Sequence, residues 1–246
     1  MNEVVKLLTS HRSIRQFAAD PVPAEQLQAI LEAAQCASTS SNMQAFSVVG
    51  VTDRELRDKL AELSGNQAYV AEAPVFLVWC ADLYRYGQAV SRHNAAAESA
   101  GLYTENFIVA TVDAALAAQN AAIAAESFGL GIVYIGGIRN NPDEVTRLLN
   151  LPEGVYPVFG MCIGTPAQNP LRRPRLPLTG VYFENRYDAE RTTEAIEQYD
   201  RVHEAYMAER SNGKSSASWS EAMAAKAIRN RTHMREFLRK QGFELQ

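Results

Sequence analysis

The sequence predicts a mixed helix-and-sheet domain with a helical C-terminal extension, and three observations carry that prediction. Strand-length apolar runs at 46–51, 75–80, 131–135 and 156–164 are interleaved with segments of helical period. The run Val75-Phe76-Leu77-Val78-Trp79-Cys80 lacks polar alternation, which places it in the sheet interior with both faces covered. After Asp188 the composition shifts, and two helical patterns, Arg191 to Glu209 and Trp219 to Lys240, flank a flexible linker at Ser211–Ser216.

Taken in order, Val4, Leu7, Leu8 and His11 follow the i, i+3, i+4, i+7 spacing of one helix face, so the pentapeptide His11-Arg12-Ser13-Ile14-Arg15 falls where that helix ends. Pro23 sits in the first turn of a second helix, whose buried stripe is Leu27, Ile30, Leu31 and Ala34 and which the polar run Ser38–Asn42 breaks. Phe46–Val51 is a strand, and Asp53 caps a helix with apolar positions Leu56, Leu60 and Leu63 that stops at Gly65-Asn66. A loop with Gln67 and Tyr69 leads into the central strand. Thr104–Phe128 is an alanine-rich helix closed by Gly129 as its C′ residue. Gly131–Ile135 is a strand followed by Gly136-Gly137, Asn141-Pro142 opens a short helix, and Tyr156–Gly164 is another buried strand. A proline-punctuated basic loop, Asn169–Arg175, precedes the extension.

At 246 residues, 47% hydrophobic and 21% charged, the chain suits an ordinary globular protein with a sizeable core. A formal net charge of −4 argues against general nucleic-acid binding. Cys36, Cys80 and Cys162 are dispersed among small and apolar residues, which predicts buried thiols in a reducing compartment, not a disulfide framework. The longest apolar-looking stretch, Phe107–Ala125, is interrupted by Asp113, Gln119 and Asn120, and no targeting segment is evident. A cytoplasmic protein with no membrane role is expected.

Several familiar chemistries fail on spacing. Gly213-Lys214-Ser215 ends like a P-loop, but Ala208 stands at the first glycine position and the preceding pattern is helical. Gly129-Leu130-Gly131 starts like a dinucleotide fingerprint, yet Tyr134 replaces the third glycine and the pair follows a helix. The four histidines lack metal-ligand spacing and acidic or Cys neighbours, so no metal is expected, and no G-x-S-x-G elbow is present. Chemistry would then belong to an organic cofactor. The pentapeptide has two readings: charges complementing a helix C-terminus, or an anion receptor in which Arg12 and Arg15, three apart, share a side if the helical turn continues. Gly136-Gly137 likewise reads as a strand-ending turn or as backbone freed to approach a ligand.

The ordered set of segments resembles the nitroreductase family, in particular its oxygen-insensitive NADPH nitroreductase and NADPH-flavin oxidoreductase subgroup. The resemblance rests on His11–Arg15, the serine-rich 38–41 followed by Gln44, Gly65-Asn66-Gln67, and Ala118-Gln119-Asn120 through Gly129-Leu130-Gly131. It continues through Tyr134–Asn141, Pro170–Pro177 and Lys240-Gln241-Gly242.

That resemblance implies an α+β three-layer sandwich, a central mostly antiparallel sheet flanked by helices. It also implies a core over 1–188 and a C-terminal helical extension over 189–246 that embraces the partner of a homodimer, with FMN at the subunit interface. It implies that His11, Arg12 and Ser13, with Arg173 and Arg175, hold the FMN phosphate. Arg15 would lie toward the flavin N1 and C2 carbonyl, where negative charge gathers on reduction. Thr39 and Ser41 would contact the ribityl chain or pocket rim, Gln67 the pyrimidine edge and Tyr69 the pocket. Ile135, Gly136 and Gly137 would border the ring, with the Gly136 N–H near N5 or O4. Arg15 and Ser41 are the candidate catalytic groups, and Arg210 is the candidate for recognising NADPH. Of the other cations in the tail, either Arg229 or Arg231 would face the site, and Glu105 is a weaker candidate. The implied activity is two-electron, ping-pong transfer of hydride from NADPH to nitroaromatics, quinones or flavins. A dedicated FMN reductase serving a monooxygenase and a non-catalytic flavin carrier are the alternatives.

Overall fold

The computed structural model describes residues 1–93 and 103–243. By contacts the chain divides into a core unit, Met1–Pro170 with the described residues from Arg231 on, and an extension unit, Leu171–Asn230. Residues 244–246 of the expected extension lie outside the described residues.

The core unit is built on a sheet of β1 (Phe46–Gly50), β2 (Val75–Asp82), β3 (Gly131–Ile135) and β4 (Val155–Gly164), in the order β1-β2-β4-β3. Every pairing of these strands is antiparallel. The period of two along β2 sorts its side chains into two cores. Leu77, Trp79 and Ala81 pack with α2 (Ala24–Gln35), α6 (Thr104–Ser127) and α10 (Met234–Lys240), whereas Phe76, Val78 and Cys80 pack with α3 (Arg54–Leu63), α4 (Ala68–Glu72) and α7 (Pro142–Leu148). The expected three-layer α+β architecture is therefore present, with β2 buried along nearly its whole length.

Helix α6 is the densest element of the first core. Ala110, Ala114, Ala117, Ala118, Ala121, Ala122 and Ala125 are buried along one side, and their small volume lets α2 and the sheet approach closely. Although α6 is long and apolar enough to span a membrane, that side is packed inside the core unit. Asp53 caps α3 by accepting from Leu56 N at 2.7 Å, and Gly129 in the left-handed region (φ 77°) follows the C-cap of α6. The remaining helices of the core unit are α1 (Glu3–Ser10) and α5 (Tyr84–Ser91).

The extension unit holds α8 (Ala189–Arg210) and α9 (Trp219–Ala227) around a small core of its own. The Tyr199 hydroxyl donates to Pro174 O at 2.8 Å, its ring meets Trp219 at 5.9 Å, and His203 Nδ1 lies 3.0 Å from Ala217 O. A reciprocal capping box, Ser218 with Glu221, starts α9.

Four sequence expectations need correction. The second tail pattern is two helices, α9 and α10: α9 ends at the C-cap Ile228, and α10 carries Phe237 and Leu238 into the core unit. The Ser211–Ser216 stretch is an ordered turn, with Ser215 N donating to Ser211 Oγ at 2.8 Å and Asn212 and Gly213 both left-handed. Tyr69 lies on the short helix α4, with Gln67 at its N-cap, not in a loop. Cys36 is exposed, because its position at the C-cap of α2 turns it away from the stripe that buries Ile30 and Ala34.

Enlarging the alanine side of α6 is expected to separate the layers it joins. Ala118→Leu should lower unfolding free energy by about 1–3 kcal/mol, read as a lower urea midpoint at unchanged slope, and an unmoved midpoint would contradict this close packing.

Candidate functional site

The pentapeptide begins where α1 ends. His11 is the C-cap, with φ −47° and ψ 135°, so the chain leaves the helix at Ser10 and runs on extended. The expectation that Arg12 and Arg15 share one helical side is thereby overturned, since extended residues three apart point to opposite sides. Ile14 N donates to Ile132 O at 2.9 Å and Ser13 bridges Ile132 in parallel, so the segment lies along the free edge of β3. Gly131 makes this approach possible: a Cβ there would fall 2.5 Å from Ile14 Cγ1. Ile14 is buried, while Arg12 and Arg15 stay exposed.

The polar groups of this segment divide by their partners. His11 Nδ1 lies 2.5 Å from Glu126 Oε1, near the end of α6, and Arg12 Nη1 donates to Asn169 Oδ1. The Ser13 hydroxyl and the Arg15 guanidinium bond to no other described residue. Tyr134, on β3, donates its hydroxyl to Gln119 Oε1 at 3.2 Å; burial, then the Glu126 charge, push its pKa upward.

At the end of β3 the glycine pair opens a 3-10 turn, Gly136–Arg139. A Cβ on Gly137 would lie 2.2 Å from Ser64 O and 2.4 Å from Gln67 Nε2, so this glycine admits Gln67. Gln67 Nε2 donates to Ser64 O at 2.5 Å, and the Tyr69 hydroxyl donates to Gln67 Oε1. At Gly136 a Cβ would meet only Arg139 Nη2 within 4 Å, at 3.7 Å. Ile135 is buried behind the pair. Arg231 Nε donates to Asn140 Oδ1 at 2.9 Å and His233 Nε2 lies 2.9 Å from Arg139 O, which brings Arg231 to this turn. Arg229 belongs to the extension unit and is exposed. Burial, and secondarily the Arg231 charge, lower the pKa of the half-buried Arg139, whose Nη1 donates to Val158 O.

The serine loop is held from α6. Ser41, Asn42 and Gln44 have φ of 48°, 55° and 50°, a left-handed run that costs roughly 1–3 kcal/mol per non-glycine residue. Asp113, 1% exposed, accepts from Ser40 N and Ala45 N, both at 3.1 Å, on either side of that run. Arg85 Nη1 donates to Gln44 O at 3.0 Å and Phe46 O at 3.1 Å from the solvent side. Thr39 is half-buried and its Oγ1 accepts from Gln44 N at 3.3 Å; Ser41 is exposed.

The predicted cations Arg173, Arg175 and Arg210 lie in the extension unit. Arg173 stands over the Tyr206 ring at 5.9 Å, Arg175 Nη1 donates to Arg173 O at 2.9 Å, and Arg210, in the last turn of α8, is exposed. Glu105 is exposed in the first turn of α6.

Sequence reasoning missed Asp113, Glu126 and Arg57. Arg57 is buried, and its guanidinium donates to Val70 O at 3.0 Å and to Ala73 O, closing the C-terminal end of α4 behind Tyr69; burial lowers its pKa. The signal for Asp113 was available: it falls on the alanine side of α6, where a lone carboxylate needs buried donors. Burial pushes the Cys80 and Cys162 thiols up to about 12, which makes them inert as nucleophiles.

A four-stranded antiparallel sheet between helical layers, with partnerless basic and hydroxyl groups along one edge and inert buried thiols, defines an α+β protein whose open polar edge suits an anionic small molecule. Residues 8–165 match the nitroreductase family and residues 173–246 match the nitroreductase family, C-terminal domain. The chain belongs to the nitroreductase family. It is 42% identical over 246 residues to an FMN reductase (NADPH) of Bacillus subtilis (strain 168), covering 99% of each chain. It is 42% identical over 244 residues to an oxygen-insensitive NADPH nitroreductase of Salmonella typhimurium, again covering 99% of each. The solved structure of the hypothetical oxidoreductase YcnD from Bacillus subtilis superposes with a TM-score of 0.97 at 42% identity, covering 100% of both chains.

Gly137→Ala is expected to cost about 1–3 kcal/mol, because the colliding atom at 2.2 Å is the backbone oxygen of Ser64 and cannot swing away. Thermal unfolding checks this: a drop of several degrees is expected, and an unchanged Tm would mean that Gln67 and the 3-10 turn can part freely.

Proposed function

We propose that the protein is an FMN-dependent NADPH oxidoreductase that reduces small-molecule acceptors, namely nitroaromatics, quinones or flavins, in a two-electron, ping-pong cycle. When bound, FMN would supply the redox chemistry, two-electron hydride transfer between NADPH and the acceptor. The observation that carries this reading is the open edge beside β3: Arg15 and Ser13 lack described partners while their neighbours His11 and Arg12 are tied to Glu126 and Asn169, and the chain belongs to a family whose relatives include an FMN reductase (NADPH).

The residues present fit a phosphate-bearing flavin. Ser13, Arg12 and His11 offer a hydroxyl and basic groups suited to a phosphate, a task shared in this reading with Arg173 and Arg175. Arg15 supplies a fixed positive charge for the pole of the ring that gains negative charge on reduction, so reduction is favoured electrostatically. A Cβ on Gly136 would make only an ordinary contact, 3.7 Å to Arg139 Nη2, so in this reading its backbone faces the ring edge beside Ile135. Gln67, held by Ser64 O and Tyr69, presents a pre-oriented amide to the pyrimidine edge, and Gly137 makes room for it. Thr39 and Ser41 form the ribityl and acceptor side, with Ser41 beside the acceptor. Arg210 provides a cation for the phosphate that distinguishes NADPH from NADH. No side chain need act as a nucleophile, and solvent protons suffice at the open edge.

Homodimerisation, with FMN at the subunit interface, is part of this reading. Ile108, Val112 and Leu116 repeat every four residues along α6 and are 49%, 49% and 44% exposed, and Val4, Val5 and Leu8 leave α1 with an uncovered apolar side. A second copy would cover them, and the extension over 189–246 would embrace that partner. A cytoplasmic setting belongs to the same reading and is in keeping with three free thiols. The named FMN reductase relative also favours free flavin as a principal acceptor, a reading separated from the broader one by ranking kcat/KM across acceptors.

Stopped-flow mixing of the flavin-loaded protein with NADPH should bleach the visible flavin band; persistence of the band would remove the enzymatic reading in favour of a carrier. Arg15→Ala is expected to slow that bleaching by on the order of tenfold or more with little change in FMN affinity. Arg173→Ala is expected to weaken FMN binding by about tenfold and to spare the reduction rate at saturating flavin. Equal losses of affinity in both variants, with unaltered reduction, would refute that division of roles.

A further inference from the structure

We infer that Asp113 is a positioning residue that presets the Thr39–Gln44 loop in its left-handed backbone before flavin or acceptor arrives; what the loop then contacts rests on the oxidoreductase reading above. Helix packing does not call for a carboxylate at this place. The buried side of α6 is otherwise alanine, and an alanine at 113 would pack as Ala110, Ala114 and Ala117 do. The carboxylate is 1% exposed, and no cation among the described residues pairs with it. Its described partners are backbone N–H groups of the loop, one on each oxygen: Ser40 N on Oδ1 and Ala45 N on Oδ2.

Those two donors bracket Ser41, Asn42 and Gln44, whose left-handed φ values an unrestrained chain would abandon. Within the loop Met43 N donates to Ser40 O at 2.9 Å, but that bond does not reach the left-handed Gln44, whose own bonds are long, 3.3 Å from its N to Thr39 Oγ1 and 3.4 Å from its Nε2 to Asn42 Oδ1. The outer clamp, Arg85, has a side chain 58% exposed. Asp113 is thus the buried, charge-assisted restraint on the segment that carries Thr39 and Ser41. Acting through backbone N–H groups, it sets where those hydroxyls stand without touching a substrate.

The test compares wild type with Asp113→Asn, which keeps the shape and one good acceptor. Three readouts are taken: amide exchange residue by residue, FMN affinity of the apoprotein by fluorescence quenching, and acceptor KM against kcat. The expected result is exchange across residues 40–45 faster by about tenfold or more, with FMN Kd and acceptor KM both raised about tenfold. The reduction rate by NADPH at saturating FMN should stay within about twofold, because Arg15 is untouched. Adding Asn42→Gly should recover much of the lost affinity, since glycine takes the left-handed region without a Cβ penalty. A purely structural role in α6 would not be relieved by a change in the loop. Unchanged exchange and affinity in Asp113→Asn, or a loss that Asn42→Gly fails to relieve, would overturn the inference. If Asp113→Asn does not fold, wild type decides: the Ser40 amide, although its residue is exposed, must exchange at least about tenfold more slowly than that of Ser41, and equal rates would overturn the inference. A wild-type apoprotein that takes up no FMN would instead defeat the flavin reading, while exchange would still report whether Asp113 orders the loop.

Discussion

Close approach of α6 to the sheet and to α2 is the constraint on which the core unit depends. Seven buried alanines bring the helix axis nearer to its neighbours than leucines would allow, and at that distance short polar side chains on the helix reach the backbone of other segments. Asp113 reaches the serine loop, and Asn120, seven residues on, donates to Ala33 O at 3.1 Å at the end of α2. Gln119 reaches Tyr134, and Glu126, again seven residues on, reaches His11. Seven residues are close to two helical turns, so each pair projects along one line of the helix. The helix is thereby a spacer and a ruler together: its alanines set the spacing of the layers, and its polar side chains set the position of four other segments.

The anchoring leaves a consistent residue of unanchored groups. Around the N-terminal strand-like segment, His11 and Arg12 are tied to Glu126 and Asn169, and Ile14 is buried, whereas Ser13 and Arg15 remain open. Around the glycine pair, Gln67 and Tyr69 satisfy one another and Gly137 is filled, whereas Gly136 is crowded by no backbone and would meet only the end of the Arg139 side chain, at 3.7 Å. Around the serine loop, Asp113 and Arg85 hold the backbone, whereas Ser41 projects its side chain outward. The anchored surround holds the backbone that carries these uncommitted groups, so a charged ligand meets them without first breaking an existing hydrogen bond.

Much of this was legible in the sequence, and the failures have physical causes. All four strands and the alanine-rich helix were readable because each had a distinct period, or an apolar run too short for a helix, bounded by glycine or proline. The end of α1 was located, but not the conformation beyond it: pairing with Ile132 is non-local, and nothing in His11–Arg15 itself forbids another helical turn. Tyr69 reads as a loop residue in the sequence because α4 is only five residues long, and its C-terminal carbonyls are satisfied by the buried guanidinium of Arg57. Cys36 looked like its buried counterparts because composition carries no direction; one step past Gln35 the helix has ended and the thiol faces solvent. The family resemblance named the site segments, but it did not reveal Asp113 or Glu126, which act on those segments from behind.

Under the oxidoreductase reading proposed above, the same division suits a site that serves chemically diverse acceptors. Specificity for an acceptor needs converging, oriented groups on that acceptor, whereas the anchored groups here converge on backbone and on one another. Burial takes both core thiols out of chemistry, and Arg57 and Arg139 are spent on carbonyl oxygens. Under the proposed reading, what is left for the reaction is the positive charge of Arg15, the backbone at Gly136 and the small hydroxyls of Thr39 and Ser41. A charge acts over distance and a hydroxyl either donates or accepts, so neither demands a particular acceptor shape. Discrimination at such a site falls, in this reading, to the redox properties of the acceptor and to the shape of the Thr39–Gln44 loop, whose backbone Asp113 holds from α6.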